Sequence, residues 1–298
     1  AGREPRLFLS GDGPMTRPFF HRNDDITGSD DMIFPFKPGT AAGTAAALLA
    51  IASAPAAAHT SYLLPNLFTA NTEGQVTLQS SFSDAFPHAE IPVDSDDWHV
   101  PLPEGSKAEY ETVATHKQLV LLESPLAEEG TYRFTTGVRH GRKGVVALVD
   151  GEWVRVPGDE IPTGATETKS SQTETVADVY VTKKAPTRAA VDRPIGRLVV
   201  HPITHPNDVY LGEPFDLEIL FDGKPMAGQS VEIERAGSEY DDSRFHGIVE
   251  TGADGRLSLD LDRPGTYLLM TRHLAAAPAG ADTDERSYTT SLTFEVQR

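Results

Sequence analysis

Ten histidines and no cysteine limit the chemistry available to this 298-residue chain. Thiol catalysis, disulfide staples, cysteine-ligated zinc and iron–sulfur clusters are excluded by composition alone. Imidazole and carboxylate remain, and imidazole suits divalent ions such as Ni²⁺, Cu²⁺ and Zn²⁺. His59 is the first candidate ligand. It follows Ala56-Ala57-Ala58, the small-x-small pattern of a signal-peptidase site. Cleavage there gives His59 a free α-amino group, and an amine and an imidazole on one residue close a chelate ring on a metal. His88 is the second candidate, in Ser83–Pro92 (SDAFPHAEIP), a turn segment with the acidic neighbours Asp84 and Glu90. Asp84 is placed to supply an oxygen ligand or a hydrogen bond behind one.

The other histidines read as structural or without distinguishing context. His201 and His205 stand four apart in HPITHP. The flanking prolines forbid the helix that would bring both rings together, and an extended chain holds them about 13 Å apart, too far for one metal. His273 closes the strand-like TYLLM segment, and His21 precedes the cleavage site. His99, His116, His140 and His246 have no surrounding pattern. The acid run Asp94–Asp97 (DSDD) lacks the glycine and distal glutamate of a calcium loop and reads as a solvated turn. No G-x-S-x-G elbow, P-loop, dinucleotide glycine motif or H-E-x-x-H is present, and no carboxylate spacing marks a glycosidase pair. The expectation is a binding protein and not an enzyme.

Charge narrows the partners. Forty-four acidic against 26 basic residues give a net charge of −18. Removing residues 1–58 takes away five basic and six acidic residues and leaves −17. Such a surface repels phosphate backbones, so nucleic acid is not an expected partner, while cations are concentrated near it.

The elements that must position these residues are strands. Thr40–Ala58 is a short alanine-dominated run, well below the roughly twenty strongly apolar residues of a membrane span. Met32–Ala58 has the length and order of a signal peptide, and residues 1–31 read as an over-extended gene start. The mature chain is therefore expected in the periplasm, without a membrane span. From residue 59 onward, Gln75–Phe82, Thr131–Thr135, Phe215–Leu220, Leu257–Leu261, Thr266–Met270 and Thr289–Val296 alternate or run apolar as strands do. Asp150-Gly151, Asp222-Gly223 and Asp254-Gly255 mark tight turns. Residues 157–195 are polar and then rich in proline, alanine and charge, with one short strand expected at Ala177–Val181. That stretch divides the mature chain into a β domain at 59–190 and a second at 195–298. The fold class is all-β: two antiparallel β-sandwich domains, the second Ig- or transthyretin-like, after a cleaved signal peptide.

Several phrases carry a family resemblance: HTSYLLP at His59–Pro65, SDAFPHAEIP, Thr204–Asp208 (THPND), Phe221–Gly228 (FDGKPMAG), Thr251–Arg256 (TGADGR) and Pro264–Leu269 (PGTYLL). Together they resemble a bacterial periplasmic family of unknown function associated with nickel and cobalt uptake, whose domain is of the nickel-transport type. Members of that family begin their mature chain with Ala-His, then an aromatic residue and Leu-Pro. The resemblance places a histidine at position 88, which supports His88 beside His59 and Asp84 as the metal ligands. It implies a soluble periplasmic protein that takes up nickel or cobalt and meets a membrane uptake system; the His59 chelate itself would also take copper. Two competing readings stay open. One is a non-catalytic structural or interaction β-sandwich module without metal; the other is a copper histidine brace formed by His59 and His88.

Overall fold

The computed structural model describes residues 59–156, 158, 160–237 and 246–298. The expected leader and gene start, residues 1–58, lie outside them. The first strands among the described residues are β1 (Thr60–Pro65), β2 (Thr69–Ala70), β3 (Gln75–Ser83), β4 (Ile91–Pro92), β5 (Val100–Pro101) and β6 (Lys107–Ala108). There follow β7 (Thr112–Thr115), β8 (Val120–Pro125), β9 (Gly130–Thr135), β10 (Arg139–Val149), β11 (Glu152–Val156) and β12 (Ala165–Lys183). The second half holds β13 (Leu198–Pro202), β14 (Phe215–Phe221), β15 (Lys224–Pro225), β16 (Ser230–Arg235) and β17 (His246–Glu250). It closes with β18 (Arg256–Leu259), β19 (Gly265–Ala276) and β20 (Glu285–Val296). The described residues contain no helix, and so none long and apolar enough to cross a membrane.

A nine-stranded sheet organises the molecule. Its order is β11-β10-β12-β20-β19-β16-β17, with β9 and β2 pairing the upper part of β12. β12 and β20 are parallel, from Ser171↔Glu285 to Val179↔Thr293, so the segments expected at 59–190 and 195–298 share this sheet. One smaller sheet, β1-β3-β8-β7 with β4, covers one face; the β13-β14-β15 sheet with β18 covers the other.

Each face has its own core. Leu63, Val76, Leu78, Val120 and Leu122 pack with Tyr132, Phe134, Val179 and Val181 in one. Leu198, Val200, Phe215, Leu217, Ile219 and Leu257 pack with Val231, Ile233, Tyr267, Leu269, Leu292 and Phe294 in the other. Alternation along β12 explains the division: Val179 and Val181 point to the first core and Tyr180 to the second. A strand covered on both faces reads as a nearly continuous apolar run, and Val176–Val181 does apart from Asp178, which is buried against Arg133.

Both cores contain a tyrosine corner, the Ig-like device in which a tyrosine hydroxyl ties back to upstream backbone. Tyr132 Oη donates to the Glu128 carbonyl at 2.9 Å, and Tyr267 Oη to the Arg263 carbonyl at 2.7 Å. Each tyrosine closes a Gly-Thr-Tyr triplet whose glycine has positive φ, 127° at Gly130 and 135° at Gly265. At Gly130 a Cβ would also meet Pro103 at 2.6 Å.

The short strand expected at Ala177–Val181 is instead the nineteen-residue β12. Its first half is mostly exposed or half-buried and forms an arm with β10 and β11. That arm is held by pairing more than by burial, so its polar sequence shows no apolar alternation.

Candidate metal centre

The antiparallel pairing of β1 with β3 begins at Thr60↔Ser83, which sets His59 beside the turn that follows β3. Side-chain packing fixes that end. Tyr62 meets Phe86 edge-on at 5.2 Å, and its hydroxyl donates to the Pro87 carbonyl at 2.7 Å while accepting from Gln79 Nε2 at 3.1 Å. Burial is the main cause that pushes the Tyr62 phenol up to about 12. On the other side of β1, Ser291 Oγ donates to the Ser61 carbonyl at 2.6 Å and ties β1 to β20.

Three potential ligands converge there. His59, Asp84 and Glu90 each offer one donor atom, and these atoms lie within 4.8 Å of one another. His59 Nδ1 stands 3.3 Å from Asp84 Oδ1, and Nε2 stands 3.1 Å from Glu90 Oε2. Glu90 is held by the same turn: its Oε1 accepts from the Asp84 N–H at 3.0 Å, and its own N–H donates to Ser81 Oγ at 3.0 Å. The three side chains are 40%, 43% and 36% exposed, so an ion could reach them directly from solvent.

Of the expected ligands, His59 and Asp84 come together and His88 does not join them. His88 is exposed in the same turn, its N–H donating to the Ala85 carbonyl at 2.8 Å. The third member is Glu90, noted in the sequence only as an acidic neighbour. The signal that could have found it is its six-residue spacing from Asp84 across a Pro-containing turn.

The histidines read as structural have structural partners. His205 Nδ1 accepts the Asn207 N–H at 3.2 Å, which leaves Nε2 to donate to Thr131 Oγ1 at 3.0 Å or the Thr187 carbonyl at 3.2 Å. Asn207 bonds Thr182 Oγ1 and the carbonyls of Phe68 and Tyr180. The THPND phrase thus stitches its loop to β9 and β12, and burial holds His205 below the usual histidine range. His201 lies against Asp192 (3.2 Å) and Glu218 (3.7 Å), a different set of partners. In the DSDD run, Asp97 accepts from the Val138 N–H at 2.9 Å and Lys107 Nζ at 3.1 Å. Burial would raise its carboxyl, but those bonds and the nearby His99 outweigh it and hold it low.

An all-β double sandwich with a histidine–dicarboxylate cluster at the start of its first strand is thereby defined. Residues 56–275 match the family described as Domain of unknown function (DUF4198), and the chain belongs to it. No curated protein matches. Among solved structures, the D0–D1 domain of intimin is 9% identical, with 79% of this chain and 97% of that one covered and a TM-score of 0.20. The Yersinia pseudotuberculosis adhesin InvE is 14% identical over 78% of this chain and 58% of its own, with a TM-score of 0.20. An Escherichia coli alpha-2-macroglobulin is 11% identical over 81% and 31%, also at 0.20.

Proposed function

We propose that this is an exported protein that binds a divalent transition metal at its mature N-terminus, through His59, Asp84 and Glu90. The observation that carries the reading is the convergence of those three donors within 4.8 Å. Ligand atoms that share an ion at about 2.0–2.2 Å each can be no more than about 4.4 Å apart, so small side-chain rotations suffice. One ring nitrogen serves the metal. If it is Nδ1, the α-amine freed after Ala58 joins it in a chelate ring, and Nε2–H is left to donate to Glu90 or to solvent. With Asp84 and Glu90 the set is two nitrogens and two carboxylate oxygens, suited to Ni²⁺ or Cu²⁺.

Nickel or cobalt capture for an uptake system is the role we assign, in the periplasm and with a membrane transporter as receiver. The copper-brace alternative needs a second imidazole at the ion, whereas the group around His59 supplies two carboxylates. Calorimetric titration of Ni²⁺, Co²⁺ and Cu²⁺ into the processed protein tests the reading. Saturable one-to-one binding that His59→Ala abolishes is expected, and binding indifferent to that change would overturn it.

A further inference from the structure

A cleft of about 300 Å³ opens beside His59, between the start of β1 and the face of the nine-stranded sheet. Its wall is a register-matched row: Arg139 on β10 opposes Thr175 on β12, Thr289 opposes Arg272 on β19, and Thr175 pairs with Thr289 across the parallel β12–β20 ladder. Two arginines therefore bracket two threonines on one line of the sheet. Two residues along, the same face presents Thr173 opposite Ser287. The β10 bulge between His140 and Lys143 adds Arg142 to the lining.

The lining contains three arginines and no acidic residue, on a chain of net charge −18. No carboxylate forms an ion pair with Arg139, Arg142 or Arg272 among the described residues, although fifteen other pairs are formed there. Arg139 is half-buried, with its guanidinium 5.0 Å from the Phe82 ring centroid and Nε donating to the Asp94 carbonyl. Arg272 Nε donates to Thr289 Oγ1 at 3.1 Å. The Thr175 hydroxyl, on a residue 9% exposed, is buried without a hydrogen-bond partner. Arg139 also feels the Asp94 carboxylate, whereas Arg142 and Arg272 have no ion-paired carboxylate among the described residues; such guanidinium groups, set among hydroxyls, are complementary to carboxylate and phosphate anions.

We infer that this cleft binds a small organic polycarboxylate, and that the metal arrives at His59 as that anion's chelate. The first half stands on the cleft alone; the second rests on the metal reading given above. His59 lines the cleft and belongs to the metal cluster, so one bound molecule could touch both. A chelator with several carboxylates can place one group on the arginines and another on the ion, where an all-protein set of three side chains leaves coordination positions open.

Citrate is the probe, titrated by calorimetry at low ionic strength into the processed full-length protein, with inorganic phosphate as the control anion. Citrate should bind the metal-free protein, and Arg142→Gln with Arg272→Gln, both exposed positions, should weaken it about tenfold or more. The same double variant should leave Ni²⁺ affinity without citrate unchanged. Nickel and citrate should each tighten the other's binding by one common factor. Absent citrate binding, an unchanged affinity in the arginine variant, or equal affinity for phosphate would overturn the anion site while leaving the metal site standing. Citrate binding that nickel does not strengthen would overturn the chelate coupling alone.

Discussion

Arg133 and Asp178 lie at the middle of the molecule, where β9 meets β12, with side chains only 2% and 5% exposed. Arg133 Nη2 donates to Asp178 Oδ2 and Nη1 to the Arg193 carbonyl, while the guanidinium stands 5.7 Å from the Tyr180 ring centroid. Burial alone would lower the arginine's pKa, and the Asp178 carboxylate outweighs it and holds the group charged. Arg133 Nε and Asp178 Oδ1 already lack partners. Asp178→Ala therefore strands a fully buried cation that has no second carboxylate paired with it among the described residues. Breaking a buried pair on one side costs about 3–5 kcal/mol. For a chain of this size each kcal/mol shifts the melting temperature by about 2–4 °C, so a drop on the order of 10 °C is expected. The double change Arg133→Met with Asp178→Leu removes both charges and should recover most of that loss, since an apolar replacement of a buried pair is often neutral or better. Thermal unfolding followed by circular dichroism, with urea titration for ΔΔG, measures both. A single variant melting within about 2 °C of wild type, or a double variant no better than the single, would refute the reasoning.

Asp84→Asn and Glu90→Gln, which remove ligands, should each weaken metal binding at least about tenfold in calorimetry, and His88→Ala should cost less than either because it is not in the cluster. Burial holds both His99 and His205 below the ordinary histidine value. The unfolded chain therefore takes up protons first, so stability is complete above about pH 6.5 and falls as the pH drops below it. Urea midpoints from pH 7.5 to 5 should show this slope, and His99→Gln should flatten it. Gly137 has φ of 62°, and a Cβ there would sit 2.1 Å from the Asp97 carbonyl oxygen. Gly137→Ala should cost at least about 2 kcal/mol by urea unfolding.

Local chemistry was legible in the sequence where it alone decides the geometry. Asp150-Gly151 and Asp222-Gly223 form two-residue hairpin turns with φ of 53°, 86°, 51° and 71°, and they close Val149↔Glu152 and Phe221↔Lys224 as their dipeptides demand. Alternating segments such as Phe215–Leu220 became strands with the expected buried face. Gly255 in TGADGR is explained by packing as well as by its turn, because a Cβ would meet Pro225 of the FDGKPMAG phrase at 2.7 Å. Long-range register was not legible. Nothing near His59 says that it faces the end of β3, so the family resemblance favoured His88 beside Asp84, while the β1–β3 pairing brings Glu90 to them instead. The parallel β12–β20 pairing joins residues more than a hundred apart and was equally invisible to local pattern.

His59 as the first residue of the processed protein is what the metal reading depends on. Calorimetric titration of Ni²⁺ into protein starting at His59, and into the same protein carrying one extra methionine before it, tests this most directly. The extra residue converts the α-amine into an amide and removes the chelate while leaving His59, Asp84 and Glu90 in place. A markedly weaker affinity is expected for the extended protein, with an unchanged fold by circular dichroism. Equal affinities in the two proteins would contradict it.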